Sequence, residues 1–135
     1  MPSNYMTSDM YAGGMSFAET CPCGSGRPYP ACCGALHAGA RIAEAPEELM
    51  RSRYSAFAKG DVDYLAMTWH PRTRPADLSL DPDTVWTGLE VVACVGDDVS
   101  FVAHFTTPNG PGRLAETSRF ARRGGRWVYV DGDVA

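Results

Sequence analysis

Four of the five cysteines lie close together, as Cys21-Pro22-Cys23 and, after eight intervening residues, Cys32-Cys33. Thiolates are soft ligands, and four of them placed at the corners of a tetrahedron suit Zn²⁺. Gly24 and Gly26 permit a positive φ, so that backbone N–H groups can turn towards the sulfurs. Neighbouring prolines stiffen the loop and reduce the entropy lost when it closes. The spacing predicts a closed structural zinc site formed by Cys21, Cys23, Cys32 and Cys33.

Other assignments of these cysteines stay open at this point. Two disulfides would require a strained bridge between adjacent Cys32 and Cys33, and the N-terminus does not resemble a secretory signal. A redox dithiol is usually a C-x-x-C pair, which is absent from the sequence. His37 could replace a cysteine in the ligand shell or be an exposed loop histidine. A catalytic zinc needs an open position, and four available thiolates argue against one.

Two families resemble parts of this chain. Cys21 to Gly34 resembles the SEC-C motif, a zinc-binding module of the SecA translocation ATPase and of many small bacterial proteins. The chain also resembles the bacterial YchJ family, at residues 49–57, 63–65, 68–71, 118–120 and 125–132. This resemblance implies a nuclear transport factor two-like domain but no biochemical activity. In SecA the similar motif contacts the SecB chaperone and the ribosome, which implies a protein or ribosomal partner here.

Composition and charge narrow the function classes. With 135 residues, 44% of them hydrophobic, the chain can form one compact domain and a small appendage. The net charge of −4 predicts no basic surface for nucleic acid or an anionic membrane. No apolar run approaches the roughly 20 residues of a membrane span. Because a reducing compartment keeps thiols free for zinc, we expect a cytoplasmic protein.

The remaining sequence predicts two helices. We expect residues 1–18 to be a disordered leader, residues 19–38 to be the zinc knuckle, and residues 45–135 to be an α+β cone domain. Pro46, followed by two glutamates, starts a helix whose apolar residues recur at helical spacing to about residue 58. Gly60 ends it, and a second helix follows over about residues 62–69. Three prolines make residues 71–84 a loop.

From Val85 the hydrophobic pattern alternates, which predicts strands. The expected strands are about 86–95, 98–106, 113–122 and 126–131. We expect the last two to pair Phe120 with Tyr129, Ser118 with Asp131 and Arg122 with Trp127, all on one face. Two helices followed by four consecutive strands predict helices packed on one face of a curved antiparallel sheet. This is a cystatin-like, or nuclear transport factor two-like, cone.

Cones of this kind often leave a cavity between helix and sheet, by analogy of fold. Eight residues could line it: Arg51, Tyr54, Trp69, His70, Glu116, Arg119, Trp127 and Asp131. We expect His70, Arg119 and Asp131 to converge in this cavity, with Glu116 as a further carboxylate. The histidine and a carboxylate would supply acid–base chemistry, and the arginine would bind an anionic ligand.

Simpler structural roles are open for the same residues. Tyr54, Trp69 and Trp127 could be core aromatics, and His70 could cap a helix end. Arg53 or Arg119 could pair with Asp131 or Glu116 to satisfy polar groups. We expect Cys94 to be a small buried hydrophobic residue and His104 to face solvent.

The sequence favours binding over catalysis. It contains no G-x-S-x-G, no glycine-rich phosphate loop and no H-E-x-x-H. Our first hypothesis is a zinc-binding module whose knuckle offers Arg27 and Tyr29 to a protein partner, because an arginine and an aromatic often anchor interfaces. The alternative hypothesis is a small-ligand binder or an enzyme that uses the cavity.

Overall fold

The computed structural model describes residues 19–135, and the expectation for residues 1–18 lies outside that range. A short 3-10 turn, Tyr29–Ala31, precedes the helices. The helices and strands are α1 (Cys33–His37), α2 (Pro46–Lys59), α3 (Val62–Met67), β1 (Val85–Val95), β2 (Asp98–Thr107), β3 (Gly110–Arg123) and β4 (Arg126–Val134). The strands form one antiparallel sheet in the order β1-β2-β3-β4. The predicted α+β architecture is confirmed.

The residues that the sequence predicts to start and end the helices occupy those positions in the structure. Pro46 occupies the first turn of α2, and Gly60 ends the helix in the left-handed conformation at φ 75°. The Asp61 side chain accepts a 3.1 Å hydrogen bond from the backbone N–H of Tyr64 and caps α3. Helix α3 ends at Met67, earlier than predicted, because the next residues pair with β4. No helix within residues 19–135 is long and apolar enough to cross a membrane.

The pairing of β3 with β4 contains an irregularity that the sequence pattern did not predict. Phe120 pairs with Tyr129 and Arg122 with Trp127, as expected. A bulge between Arg119 and Phe120 then shifts the register, so Ser118 pairs with Gly132 and not with Asp131. The predicted pairing of Ser118 with Asp131 is therefore wrong, because an extra residue in one strand displaces every later pair.

Helix α2 packs across the sheet and supplies the core. It contacts β1, β2 and β4, and its Leu49 and Met50 are buried against Val99 and Phe120. Burial of one such side chain stabilises the fold by about 1.5–3 kcal/mol. A second cluster joins α1 to α2 and α3 through Leu36, Ala56, Tyr64 and Leu65. The short helix that carries Cys33 is thus packed against the cone domain.

Candidate metal centre and internal cavity

The four cysteines of the knuckle form one buried cluster. Each is at most 4% exposed, none is in a disulfide, and their sulfurs all lie within 4.8 Å of one another. The sulfurs of Cys23 and Cys32 are 3.7 Å apart. A tetrahedral zinc with bonds of about 2.3 Å separates its sulfur ligands by about 3.8 Å. The donor chemistry and the size of the cluster therefore fit a metal ion held by four thiolates.

Tight turns bring the two cysteine pairs together. Gly24 and Gly26 have φ values of 83° and 82°, which an L side chain rarely adopts. The backbone N–H of Cys21 donates a 2.8 Å hydrogen bond to the carbonyl of Arg27, which folds the first pair back. At Gly34 a Cβ atom would lie 2.6 Å from the carbonyl oxygen of Tyr29, so only glycine allows this approach.

Hydrogen-bonding groups surround the sulfurs. The Cys32 sulfur receives a 3.5 Å hydrogen bond from Nη2 of Arg27 and lies 3.2 Å from the Ser25 hydroxyl. Hydrogen bonding from Cys33 holds the pKa of Cys23 well below its usual range, although burial opposes the shift. The same bond, together with burial, raises the pKa of Cys33. Groups that donate to sulfur stabilise thiolates, as they do around metal sites.

The knuckle is attached to the cone domain by its backbone and side chains. Nη1 of Arg51, on α2, donates a 2.7 Å hydrogen bond to the carbonyl of Cys23. Leu89 of β1 packs against the cysteine cluster. The Lys59 ammonium lies 4.3 Å from the ring centre of Tyr29 and pairs with Glu19 at 2.5 Å. Hydrogen bonds, an ion pair and apolar packing therefore fix the knuckle to the cone domain.

His37 lies outside the cysteine cluster and has a different role. Its Nε2 is 2.8 Å from the carbonyl oxygen of Ser52, and its Nδ1 is 2.6 Å from the hydroxyl of Tyr29. Because a carbonyl only accepts, Nε2 carries the proton and Nδ1 accepts from the tyrosine. His37 thus links the knuckle to α2, and neither the ligand role nor the exposed-loop role is correct. The position of His37 in the sequence, four residues after Cys33, does not indicate that it contacts Ser52 and Tyr29.

A cavity of about 300 Å³ lies between α2 and the sheet. Three of the eight predicted lining residues reach it, namely Tyr54, Trp69 and Glu116. The other lining residues are Met50, Arg53, Phe57, Trp86, Phe101, Ala103, Leu114, Ser118, Phe120 and Tyr129. The predicted space exists, but it is mostly apolar and aromatic.

The other candidates lie away from the cavity. Arg119 pairs with Asp131 at 2.6 Å and with Asp133 at 2.8 Å on the exposed face of the sheet. Arg119 faces outward because its neighbours along β3, Ser118 and Phe120, face inward. The prediction that His70, Arg119 and Asp131 converge in the cavity is therefore wrong.

The remaining candidates make local contacts. Nδ1 of His70 accepts a 3.0 Å hydrogen bond from the backbone N–H of Arg72, so the ring stabilises the following turn and caps no helix carbonyl. Trp127 packs beside the core cluster of Leu49, and its indole N–H is buried without a partner among residues 19–135. Arg51 lies beside the knuckle, where it binds the carbonyl of Cys23.

Two predictions about β-strand side chains have opposite outcomes. The side chain of His104 faces solvent as expected and is 39% exposed, with Nε2 3.4 Å from a carboxylate oxygen of Glu90. Cys94 is exposed, and its thiol donates a 3.4 Å hydrogen bond to Glu47. The prediction of a buried Cys94 is wrong because the end of edge strand β1, from Val92 to Val95, is uncovered.

Arg53 and Glu116 form the polar end of the cavity. Arg53 is only 5% exposed, and its guanidinium lies 4.8 Å and 4.7 Å from the ring centres of Trp69 and Tyr129. Burial lowers the pKa of Arg53 to about 10. Glu116 accepts hydrogen bonds from the hydroxyls of Ser118, at 2.7 Å, and Tyr129, at 3.2 Å. Burial and this carboxylate raise the pKa of Tyr129 to about 12.

Sequence comparison places the fold and the cysteine cluster in known families. Residues 45–132 match the family model for the YchJ middle NTF2-like domain, and residues 18–35 match the SEC-C motif. The chain belongs to the YchJ family. This YchJ-family protein is 52% identical over 114 residues to a UPF0225 protein of Deinococcus radiodurans, covering 84% of this chain and 88% of the relative. A UPF0225 protein of Streptomyces coelicolor is 50% identical over 117 residues, covering 84% of this chain and 94% of the relative.

Solved structures agree with this assignment. The solution structure of a SEC-C motif protein from Rhodopseudomonas palustris has a TM-score of 0.74 and 34% identity to the YchJ-family chain. The comparison covers 87% of this chain and 99% of that one. The crystal structure of a SEC-C motif protein from Psychrobacter arcticus has a TM-score of 0.68 and 29% identity, with 87% and 83% of the two chains covered. These descriptions state no reaction and no ligand.

Proposed function

We propose that Cys21, Cys23, Cys32 and Cys33 hold one zinc ion and that the knuckle is a protein-binding module. The observation that supports this most directly is the burial of four thiols whose sulfurs lie within 4.8 Å of one another. A shell of four thiolates leaves no open position for a substrate, so the bound ion would supply folding energy. A reducing compartment, such as the cytoplasm, would keep these thiols available.

The exposed side of the knuckle supports a role in protein binding. Residues 24–28 are exposed, and Arg27 is the one charged residue among them. Nη1 of Arg27 donates a 3.0 Å hydrogen bond to the carbonyl of Ala31, and Nη2 donates to the Cys32 sulfur. An arginine held in one orientation loses little entropy on binding and can anchor an interface. Tyr29 is half-buried against His37, so we assign it the smaller contribution.

Affinity capture with matched charge reversals tests this role. Arg27→Glu changes the proposed anchor, and Arg72→Glu changes an exposed arginine in the turn after α3. We expect one defined partner to be retained by the wild type and by Arg72→Glu. Arg27→Glu and chelated protein should lose it. Zinc content is measured for each variant, because Arg27 also contacts Cys32. Equal capture by all four samples would contradict a partner site on the knuckle.

A second candidate function is the binding of a small ligand in the cavity of about 300 Å³. One observation favours it: an apolar chamber with a buried guanidinium and a carboxylate at one end resembles the general composition of ligand sites. A role of this kind is compatible with a purely structural knuckle. We propose it for the cone domain without assigning a reaction.

A further inference from the structure

The cavity has aromatic walls on both sides. Tyr54 and Phe57 of α2 face Trp86 of β1, with ring-centre distances of 6.0 Å and 6.1 Å from the indole. Phe101 and Phe120 add rings from the sheet. Aromatic rings stack with flat apolar groups and contribute specific geometry beyond area. Because the volume of about 300 Å³ is at the lower end for ligand pockets, the walls suit a molecule with one aromatic ring.

The buried guanidinium of Arg53 has unused hydrogen-bonding capacity. Its Nη1 donates to the carbonyl of Leu65 at 2.9 Å and to the hydroxyl of Thr68 at 2.6 Å. The hydrogen bonds that Arg53 makes within residues 19–135 all start from Nη1, and no carboxylate in that range lies within ion-pair distance. A guanidinium has five N–H donors and matches a carboxylate with two parallel bonds. Arg53 therefore has N–H donors to offer a bound anion, and the Glu116 carboxylate offsets its positive charge only from beyond ion-pair distance.

A second polar group without a partner lies on the same wall. The indole N–H of Trp69 is buried and has no hydrogen-bond acceptor among residues 19–135. Trp69 lines the cavity, and its ring lies beside the Arg53 guanidinium. Because this N–H is closed off from the cavity space, Trp69 contributes its ring to the wall beside Arg53 and offers no hydrogen bond to a ligand.

Glu116 indicates a second polar group that the ligand would have. Its Oε2 accepts the hydrogen bonds from Ser118 and Tyr129, whereas Oε1 receives none from residues 19–135. Gly132 leaves room for this side chain, since a Cβ at that position would lie 2.8 Å from the carboxyl carbon of Glu116. An acceptor at this point favours a ligand that also has a hydroxyl group.

We propose that the cavity binds a small aromatic carboxylic acid whose carboxylate accepts hydrogen bonds from Arg53. This inference rests on the small-ligand role proposed above and specifies its chemical class. A ring occupies the aromatic walls, and the acid group lies at the end formed by Arg53 and Trp69. A hydroxyl on the ligand donates to Glu116, so a hydroxy acid binds more tightly than the parent acid.

Three matched probes test the wild-type protein by calorimetry and by amide chemical shifts. The probes are 3-phenylpropanoate, its neutral amide and the cationic amine 3-phenylpropylamine. We expect the acid to bind about tenfold or more tightly than the amide, because a hydrogen bond between two charged groups contributes more to the binding free energy than one to a neutral amide. The amine should bind most weakly. Shifts should concentrate at Tyr54, Trp86 and Phe101, which line the cavity, and should be absent from the knuckle.

Variants then assign the charge preference to one residue. Arg53→Met should remove the difference between acid and amide, whereas Arg119→Met, on the exposed face, should preserve it. If Arg53→Met fails to fold, the comparison of acid and amide in the wild type still decides the proposal. Equal affinity for acid and amide overturns the acid assignment and leaves a small-ligand role standing. Absence of binding by all three probes overturns both.

Discussion

Nη1 of Arg51 donates a 2.7 Å hydrogen bond to the backbone carbonyl of Cys23, which joins α2 to the interior of the cysteine cluster. Nε of the same guanidinium bonds a carboxylate oxygen of Glu47 at 3.0 Å, which fixes the side chain along the helix. The loop that carries the cysteine cluster is therefore oriented by a residue of the cone domain. A substitution in the knuckle should therefore affect the cone domain, and a substitution in α2 should affect the knuckle.

Replacement of Arg51 by methionine should weaken this link. Arg51→Met keeps much of the apolar stem and removes the donor to Cys23, so the free energy of unfolding should fall by about 1–2 kcal/mol. Chelators should also extract zinc faster. Arg72→Met is the matched control, because the Arg72 side chain makes no hydrogen bond or ion pair within residues 19–135. Denaturant titration and chelator kinetics measure both effects, and identical behaviour of the two variants would contradict the link.

His37→Ala separates a linking role from a ligand role. Loss of the imidazole leaves the Tyr29 hydroxyl and the Ser52 carbonyl without their partner, so stability should fall by about 1–3 kcal/mol. The zinc content should stay the same as in the wild type, because four cysteines complete the shell. Thermal unfolding and elemental analysis on one preparation give both numbers. A variant that folds normally but has lost its zinc would make His37 a ligand after all.

Gly34→Ala should disturb the knuckle through sterics alone. The new Cβ would lie 2.6 Å from the carbonyl oxygen of Tyr29 and 2.9 Å from its ring, so the turn between the cysteine pairs must move. We expect weaker zinc retention and a lower melting temperature. Gly88→Ala is the control, since a Cβ there meets its nearest neighbour at an ordinary 3.9 Å. Equal melting temperatures for both variants would show that the close approach at Gly34 is not required.

The ionisation of Tyr129 should report on the polar end of the cavity. Burial and the Glu116 carboxylate raise the pKa of Tyr129 from 10.0 to about 12. The protonated hydroxyl is favoured in the folded state, so its stabilising contribution is complete below pH 10 and is lost as the pH rises through about 12. Burial also raises the pKa of Tyr29, Tyr54 and Tyr64, so ultraviolet titration of tyrosinate should show several late transitions. The transition near pH 12 should disappear in Tyr129→Phe. In Glu116→Gln the transition should move to lower pH, and an unchanged curve would contradict the contact.

The sequence predicted the features that depend on local signals. The cysteine spacing, the proline and glycine at the ends of α2 and the alternation of the strands act over a few residues, so chemistry and periodicity revealed them. Asp131 was misplaced because the bulge next to Phe120 shifts the pairing of β3 with β4, which alternation does not encode. Alternation with Ser118 and Phe120 along β3 already places Arg119 on the outer face, so its assignment to the cavity was an error of interpretation. The contacts of His37 with Ser52 and of Arg53 with Trp69 join distant parts of the chain. Only the assembled fold reveals them.

Elemental analysis of protein purified without chelator tests the zinc site most directly. The wild type, Cys32→Ser and Cys94→Ser should be compared, because Cys94 is the one cysteine of the chain outside the cluster. We predict about one zinc per chain in the wild type and in Cys94→Ser, and its loss in Cys32→Ser. Zinc-free wild-type protein with disulfide-bonded cysteines, or full zinc content in Cys32→Ser, would contradict a four-cysteine zinc centre.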